Sequence, residues 1–273
     1  MKVNLHEKLQ KNKIDRPANT SLVLLCHVLK KPKSWILAHG EYNLSKKEFQ
    51  ELQKILEECV KGIPLPYILG IWDFFGKSFK VTPDVLIPRP ETELLVEKAI
   101  EHAHELDCAS VVDVGTGSGV IAISVAAGCP SAKVLALDLS RKALRVAQEN
   151  AKRFNQSHIQ FLQANLLTPL NAQFDLIVAN LPYIPTNILE HLEVAKWEPR
   201  LALDGGETGL VTLRNFLDQA RPRLASPGVI LIEIEASLGS ACLEAAEATF
   251  PKAHHQLHQD LAGRDRIIEI QQP

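Results

Sequence analysis

The sequence predicts an α/β fold, in which a mostly parallel sheet is covered by helices on both faces and a small helical domain precedes it. From residue 109 onward, short apolar runs alternate with longer helical stretches, a pattern typical of parallel strands joined by crossover helices. The run Val229–Ile234 is apolar at consecutive positions apart from Glu233. Such a run favours a strand that is buried on both faces.

The composition argues against a membrane protein and against a polycationic nucleic-acid-binding protein. The chain has 273 residues, of which 46% are apolar and 23% charged, as in ordinary globular proteins. A net charge of −2 argues against a polycation that coats nucleic acid. The longest apolar stretch, Ser21–Leu29, is far shorter than the ~20 residues of a membrane span. We therefore expect neither membrane insertion nor direct nucleic-acid binding.

The cysteines and the opening residues indicate a reducing compartment. Five cysteines are scattered without a CxxC pair, so we expect neither a disulfide framework nor a metal site. They are Cys26, Cys59, Cys108, Cys129 and Cys242. Met1–His6 lacks a secretory pattern. These features favour a cytoplasmic protein, with an organellar stroma or matrix as the open alternative.

The distribution of charge and the positions of turn-forming residues predict three segments, over residues 1–70, 71–90 and 91–273. Residues 1–80 carry 14 Lys and Arg against 8 Asp and Glu, whereas residues 81–273 carry 16 against 24. The first segment is predicted to be helical, with a capping box at Ser45 and Glu48. Its basic excess is consistent with a docking surface or simply with a solvated face. Residues 71–90 are rich in turn residues and predict a hairpin and linker.

The third segment is predicted to begin with a helix over Thr92–His104, capped by Thr92. Seven strands follow, at Ser110–Val114, Lys133–Asp138, His158–Gln163, Phe174–Ala179, Val229–Glu235, Ala253–His258 and Arg266–Gln271. The intervening helices are predicted at Ile121–Ala127, Arg141–Phe154, Thr212–Leu224 and Leu238–Phe250.

A glycine-rich turn after the first strand of the predicted sheet indicates a nucleoside site. The turn consists of Gly115, Thr116, Gly117, Ser118 and Gly119. Val120 stands where a dinucleotide fingerprint has its third glycine, and Asp113 would repel a pyrophosphate. A carboxylate there suits the ammonium and sulfonium of S-adenosylmethionine instead. Asp138, at the end of the next strand, is placed to accept hydrogen bonds from ribose hydroxyls.

A second group of residues follows the fourth strand of the sheet. Asn180, Leu181, Pro182 and Tyr183 resemble the tetrapeptide of enzymes that methylate planar nitrogens, with Leu181 in place of the usual proline. An amide NH₂ is a poor nucleophile, so it needs alignment more than a strong base. We expect the Asn180 oxygen and the Leu181 carbonyl to accept its two N–H groups, and Tyr183 to lie against its flat face.

The chain as a whole resembles the peptide-chain release factor glutamine methyltransferases, the HemK/PrmC family. The similarity is carried by Gly62–Gly70, Phe75–Gly76, Val85–Glu93, Asp113–Gly119, Asn180–Ile184, Glu198–Pro199, Ala202–Leu203, Gly209–Leu210 and Asp260–Arg266. The resemblance implies a Rossmann-like class I methyltransferase fold with a seven-stranded sheet. It also implies methylation of N5 in the glutamine of the Gly-Gly-Gln motif of release factors.

The resemblance further implies particular site residues and partners. Asp113, Gly115–Gly119, Asp138 and Asn180 would bind S-adenosylmethionine, and Asn180–Tyr183 the glutamine side chain. Where the family has an acidic residue and an aromatic after the third strand, this sequence has Asn165 and Leu166. Asn165 keeps a hydrogen bond to adenine, whereas Leu166 offers only an aliphatic contact. A release factor is the expected partner, the helical domain helps to hold it, and we expect a monomer.

Three alternatives stay open on the sequence. An adenine-N6 methyltransferase acting on DNA or RNA faces the same chemical problem at nitrogen, but the charge of −8 over residues 81–273 disfavours phosphate binding. A redox enzyme using NAD or haem is disfavoured by the glycine spacing, and His254, His255 and His258 are more simply a surface cluster. A binding module without catalysis would leave Asn180 idle.

Overall fold

The computed structural model describes residues 9–11, 17–106, 109–168 and 170–273. Met1–His6 and Cys108, which enter the expectations above, lie outside these residues. The chain divides into two compact units, Met1–Gly70 and Ile71–Pro273. No helix within the described ranges is long and apolar enough to span a membrane.

The first unit consists of helices around a small apolar core. They are α1 (Pro17–Leu29), α2 (Lys33–Ala38), α3 (Lys46–Val60) and α4 (Leu65–Leu69). The predicted capping box is confirmed, since the Ser45 side chain accepts from the Glu48 amide at 3.3 Å and the Glu48 carboxylate from the Ser45 amide at 2.7 Å. The apolar positions of α1 and α3 meet because their spacing brings them to one face of each helix, burying Leu24, Leu52 and Ile55.

The second unit opens with the predicted hairpin, β1 (Ile71–Phe74) and β2 (Lys77–Lys80), which are antiparallel. Its Phe79 is fully buried in the core beneath the large sheet. The side chain of Asn150 accepts from the Lys80 amide at 2.7 Å and donates to the carbonyls of Lys80 and Ser118 at 3.0 and 2.8 Å. One buried amide thus ties the hairpin to the glycine turn.

The predicted seven-stranded, mostly parallel sheet is confirmed. Its strands are β3 (Ser110–Val114), β4 (Lys133–Asp138), β5 (Gln160–Gln163), β6 (Phe174–Asn180), β7 (Leu224–Glu233), β8 (His254–Gln259) and β9 (Asp265–Gln272). The strand order is β5-β4-β3-β6-β7-β9-β8, and all pairs are parallel except those that involve β9. The order reverses direction between β3 and β6, which opens a crevice at their carboxyl ends.

Helices cover both faces of this sheet. They are α5 (Thr92–Glu105), α6 (Val120–Gly128), α7 (Arg141–Arg153), α8 (Thr186–Leu189), α9 (Val211–Ala220) and α10 (Gly239–Thr249). Two separate apolar cores result, one on each face of the sheet. The predicted end of α9 at Leu224 is wrong, since Arg221–Arg223 forms a 3₁₀ turn and Leu224 already pairs with Phe174. Pro222 has no N–H to continue the helix.

Candidate functional site

The glycine turn lies at the crevice, between β3 and α6. Gly115, Gly117 and Gly119 have φ values of 79°, 56° and 85°, a region that residues with a side chain rarely adopt. A Cβ atom on Gly119 would lie 2.9 Å from the Ile123 side chain and 3.1 Å from that of Ala147. The backbone can therefore turn sharply and stay close to α6 and α7 only if this position is glycine.

Asp113 lies behind the turn, with 1% of its surface exposed. One carboxylate oxygen accepts from the Thr116 hydroxyl at 2.6 Å and from the Ala122 amide at 3.1 Å. The other oxygen is buried without a partner among the described residues. Burial raises the pKa of Asp113 to about 7, although these two hydrogen bonds oppose the rise. The contacts that Asp113 makes thus shape the turn from behind.

Asp138 bonds the glycine turn on the side that faces the crevice. One oxygen of its carboxylate accepts from the Gly117 amide at 2.9 Å, and the other from the Ser140 amide at 2.7 Å. Burial raises the pKa of Asp138, and these two bonds partly offset it. A carboxylate has about four lone-pair positions, so further acceptor capacity remains for hydroxyl groups in the crevice.

A cavity of about 320 Å³ occupies the crevice. Its lining includes eight of the predicted site residues, namely Gly115, Gly117, Asp138, Asn165, Leu166, Asn180, Leu181 and Pro182. Leu166 has a φ of 53°, which sharpens the turn after β5. Thr116 and Ser118, like Asp113, are buried. The structure thus brings the two predicted groups of residues to one cavity.

The Asn180 segment lies directly against the glycine turn. A Cβ atom on Gly115 would be 3.5 Å from the Asn180 carbonyl oxygen and 3.7 Å from the Leu181 side chain. A second cavity of about 200 Å³ adjoins this segment, and Arg89 and Tyr183 are among its lining residues. Asn180 and Leu181 line both cavities. They therefore form part of the wall where the two spaces meet.

Main-chain hydrogen bonds fix the path of the segment after Asn180. The Ile184 amide donates to the Leu203 carbonyl at 3.0 Å, and the Gly205 amide donates to the Ile184 carbonyl at 2.8 Å. A Cβ atom on Gly209 would lie 2.5 Å from the Tyr183 carbonyl oxygen. The close approach of residues 203–209 thus requires glycine and leaves the segment little freedom.

Arg89, which lines the second cavity, forms an ion pair with Glu198. The Arg89 guanidinium contacts the Glu198 carboxylate at 2.6 Å, and the second oxygen of Glu198 accepts from the Ile87 amide at 3.0 Å. Glu198 is 6% exposed. Two stretches far apart in the chain, 85–93 and 198–199, therefore meet beside Asn180.

Two side chains that contact Asn180 were not predicted from the sequence. The expectation that Thr92 caps its helix is wrong, because Glu91 takes the cap position without a side-chain hydrogen bond. Thr92 is 2% exposed, and its hydroxyl accepts from the Asn180 amide at 3.2 Å. Because α5 packs against β6 and β7, the Thr92 side chain points inward. Its hydroxyl therefore bonds Asn180 on β6 instead of the backbone of its own helix.

Glu233 is the second missed residue. It pairs directly with Asn180 in the register of β6 and β7, and it is 6% exposed. Burial raises the pKa of Glu233 to about 7, against hydrogen bonds from the Thr92 and Asn180 side chains. Its signal was present in the sequence, as a single acid within an otherwise apolar strand.

The three histidines near the carboxyl terminus form no metal site. No group of three or more metal-binding side chains occurs among the described residues. His258, rather than belonging to a surface cluster, contacts the buried carboxylate of Glu269 at 2.7 Å, and His102 contacts the same carboxylate at 3.2 Å.

Comparison with known proteins identifies the family. Residues 4–70 match the family described as "PrmC N-terminal domain", and residues 90–195 match "Methyltransferase small domain". The chain is 38% identical to the release factor glutamine methyltransferase of Moorella thermoacetica, over 93% of this chain and 91% of that protein. It is 37% identical to that of Vibrio cholerae, over 96% and 92%.

A solved structure has a similar fold. The ribosomal protein L11 methylase of Lactobacillus delbrueckii superposes with a TM-score of 0.54 at 24% identity, covering 74% of this chain and 90% of that one. The family itself is shown by the two curated relatives, which match over nearly their whole length: the chain belongs to the release factor glutamine methyltransferase family.

Proposed function

We propose that this chain transfers the methyl group of S-adenosylmethionine to N5 of the glutamine in the Gly-Gly-Gln motif of peptide-chain release factors. One observation carries the proposal. Asn180 lies in the wall between the cavity that the glycine turn lines and the cavity that Tyr183 lines. A carboxamide side chain at such a junction can hold an amide substrate on one side and face a methyl donor on the other.

The large cavity suits S-adenosylmethionine, which supplies an activated methyl group on a sulfonium that is already a good leaving group. The free lone pairs of Asp138 would accept from the ribose hydroxyls. Asn165 would bond the adenine edge, and Leu166 would cover the base with an aliphatic contact. The backbone of Gly115 and Gly117 permits close approach of the ligand, while Asp113 keeps the turn in shape from behind.

The acceptor side needs alignment rather than a strong base. The Asn180 oxygen and the Leu181 carbonyl would accept the two N–H groups of the glutamine amide and aim its nitrogen at the methyl carbon. As the N–C bond forms, positive charge grows on nitrogen, and the same two acceptors stabilise it. The nitrogen then releases a proton to water. Pro182 stiffens the segment, and Tyr183 lies along the flat face of the amide.

The remaining segments fit a large protein substrate. We assign residues 1–70 to docking of the release factor, with the hairpin segment 71–90 leading into the catalytic residues 91–273. The basic excess of the first 80 residues suits an acidic partner surface. We propose that the enzyme acts as a monomer in the compartment of translation, the cytoplasm or an organellar stroma or matrix.

The test compares three acceptors in the presence of S-adenosylmethionine. They are a release factor, the same release factor with the motif glutamine changed to alanine, and an adenine-containing DNA or RNA. We expect mass spectrometry to find one added methyl group on the Gly-Gly-Gln peptide of the first alone. Methylation of the nucleic acid, or of the glutamine-free release factor at an equal rate, would overturn the proposal.

A further inference from the structure

We infer that Glu233 is a positioning residue that orients the carboxamide of Asn180, so that the Asn180 oxygen faces the amide nitrogen that receives the methyl group. The inference rests on the proposed function and extends it by naming what holds the key side chain. It starts from the juxtaposition of Thr92, Asn180 and Glu233 on three different elements, α5, β6 and β7.

The register of the sheet brings Glu233 to Asn180. Both residues end their strands, and they pair directly in the parallel ladder of β6 and β7. The Asn180 amide nitrogen donates to the Thr92 hydroxyl at 3.2 Å. Side-chain hydrogen bonds from Asn180 and from Thr92 also reach the Glu233 carboxylate. The three side chains are therefore hydrogen-bonded to one another, on the protein side of the cavity wall.

The donor and acceptor pattern of this set selects one orientation of Asn180. A side-chain amide has two N–H donors and one oxygen acceptor. Thr92 and Glu233 take both donors, so the oxygen is left for the cavity side. If the carboxamide turned over, its oxygen would meet the carboxylate and its NH₂ would face the substrate NH₂. An ionised Glu233 therefore disfavours the orientation that cannot hold an amide substrate.

The energetic cost of Glu233 also indicates a functional role. Its second oxygen is buried and has no hydrogen-bond partner among the described residues. Burying a carboxylate that is only partly satisfied costs free energy, and an apolar side chain in this strand would be at least as stable. Packing of the sheet alone does not explain an acid at this position, whereas orientation of Asn180 does.

The test is the substitution Glu233→Gln, which keeps the shape of the side chain. The new amide can donate to a reversed Asn180, so both orientations of Asn180 are satisfied. We expect kcat for release factor methylation to fall about 2-fold or more, because the reversed orientation of Asn180 then competes with the productive one. The KM for the release factor, the Kd for S-adenosylmethionine and the melting temperature should stay close to those of the wild type.

A double-mutant cycle with Asn180→Ala separates positioning from a structural role. If Glu233 acts through Asn180, then Glu233→Gln lowers kcat no further when Asn180 is already alanine. Glu269→Gln is the matched control, because Glu269 is also a buried carboxylate, on the neighbouring strand β9. It should leave kcat unchanged.

Thr92→Val provides a second variant that loses only the hydroxyl. We expect a smaller fall in kcat that also vanishes in the Asn180→Ala background. Wild-type kcat in either variant, or an equal fall with and without Asn180, would overturn the inference. Failure of the wild type to methylate a release factor would instead overturn the proposed function, so the two failures are distinct.

Discussion

The two sides of the large cavity are held by different kinds of contact. On the side of the glycine turn, carboxylates grip the backbone, with Asp113 bonding the Ala122 amide and Asp138 the amides of Gly117 and Ser140. On the other side, the backbone after Asn180 is held by other backbone. There the buried carboxylate of Glu233 bonds side chains instead.

This difference follows from which atoms each side of the cavity presents to a ligand. A glycine turn presents main-chain atoms, so holding the main chain is enough to define the site. A carboxamide presents a side chain that can turn over, and its backbone does not determine which atom faces the cavity. We therefore expect changes around the turn to affect donor binding, and changes around Asn180 to affect transfer.

Asn180→Ala is the most severe test of this division. Loss of one of the two proposed acceptors should lower kcat about 10³-fold, the upper effect of removing one stabilising group from a transition state. The Kd for S-adenosylmethionine, measured by calorimetry, should stay near the wild-type value. Asn171→Ala, at an exposed position before β6, serves as the control. Turnover near normal in Asn180→Ala would contradict the assigned role.

A pair of glycine variants probes the two sides symmetrically. Gly119→Ala puts a Cβ 2.9 Å from Ile123, so it should cost about 3 kcal/mol of folding free energy and weaken donor binding. Gly209→Ala pushes on the Tyr183 carbonyl, so it should lower kcat about 10²-fold with donor binding retained.

Gly76→Ala controls for backbone strain, because Gly76 also has a positive φ but its Cβ would meet nothing within 4 Å. Denaturant unfolding, calorimetry and single-turnover assays measure the three effects. The same loss of donor binding in both Gly119→Ala and Gly209→Ala would show that the two sides do not act separately.

Asp138→Asn should raise the Kd for S-adenosylmethionine about 10-fold or more, with kcat at saturation nearly kept. The asparagine has one acceptor oxygen, whereas Asp138 accepts two backbone N–H groups and has capacity for the ribose. Asp175→Asn is a matched control, since Asp175 accepts from the Ser110 amide and hydroxyl, both at 2.7 Å, far from the cavity along β6. An unchanged Kd in Asp138→Asn would remove it from the donor site.

The smallest expected effect concerns Glu269, a buried carboxylate that belongs to neither side of the cavity. Burial by itself raises the pKa of Glu269, but hydrogen bonds from His102 and His258 outweigh burial and lower the pKa to about 2. The hydrogen bond to Glu269 raises the pKa of His102 above 6.5. The stability from Glu269 is thus present above pH 4.5 and lost as the pH falls towards 2.

The stability from His102 is present below pH 6.5 and lost as the pH rises through its raised pKa. Glu269→Gln should therefore lower the melting temperature by roughly 5 °C between pH 5 and 6 and by less at pH 8. Calorimetry across this range measures it, with Glu101→Gln, in an exposed pair with Lys98, as the control. A difference independent of pH would contradict the ion pair.

Much of the fold was predictable because its signals are local. Seven strands, the hairpin and the capping box at Ser45 follow from periodicity and turn chemistry, and all were confirmed. The errors arose where tertiary contacts outweigh local preference. Thr92 has the residue type of a helix cap, yet its hydroxyl serves Asn180.

Sequence alone is enough to predict the order of elements, the glycine turn and the residues at the carboxyl ends of the strands, since each depends on near neighbours in the chain. That Asp113 lies behind the turn and that Asn180 has Thr92 and Glu233 as partners becomes visible only in the folded chain. The ladder between β6 and β7 joins positions 53 residues apart, 180 and 233. No local pattern records such a contact, because strand register is decided by packing of the whole sheet.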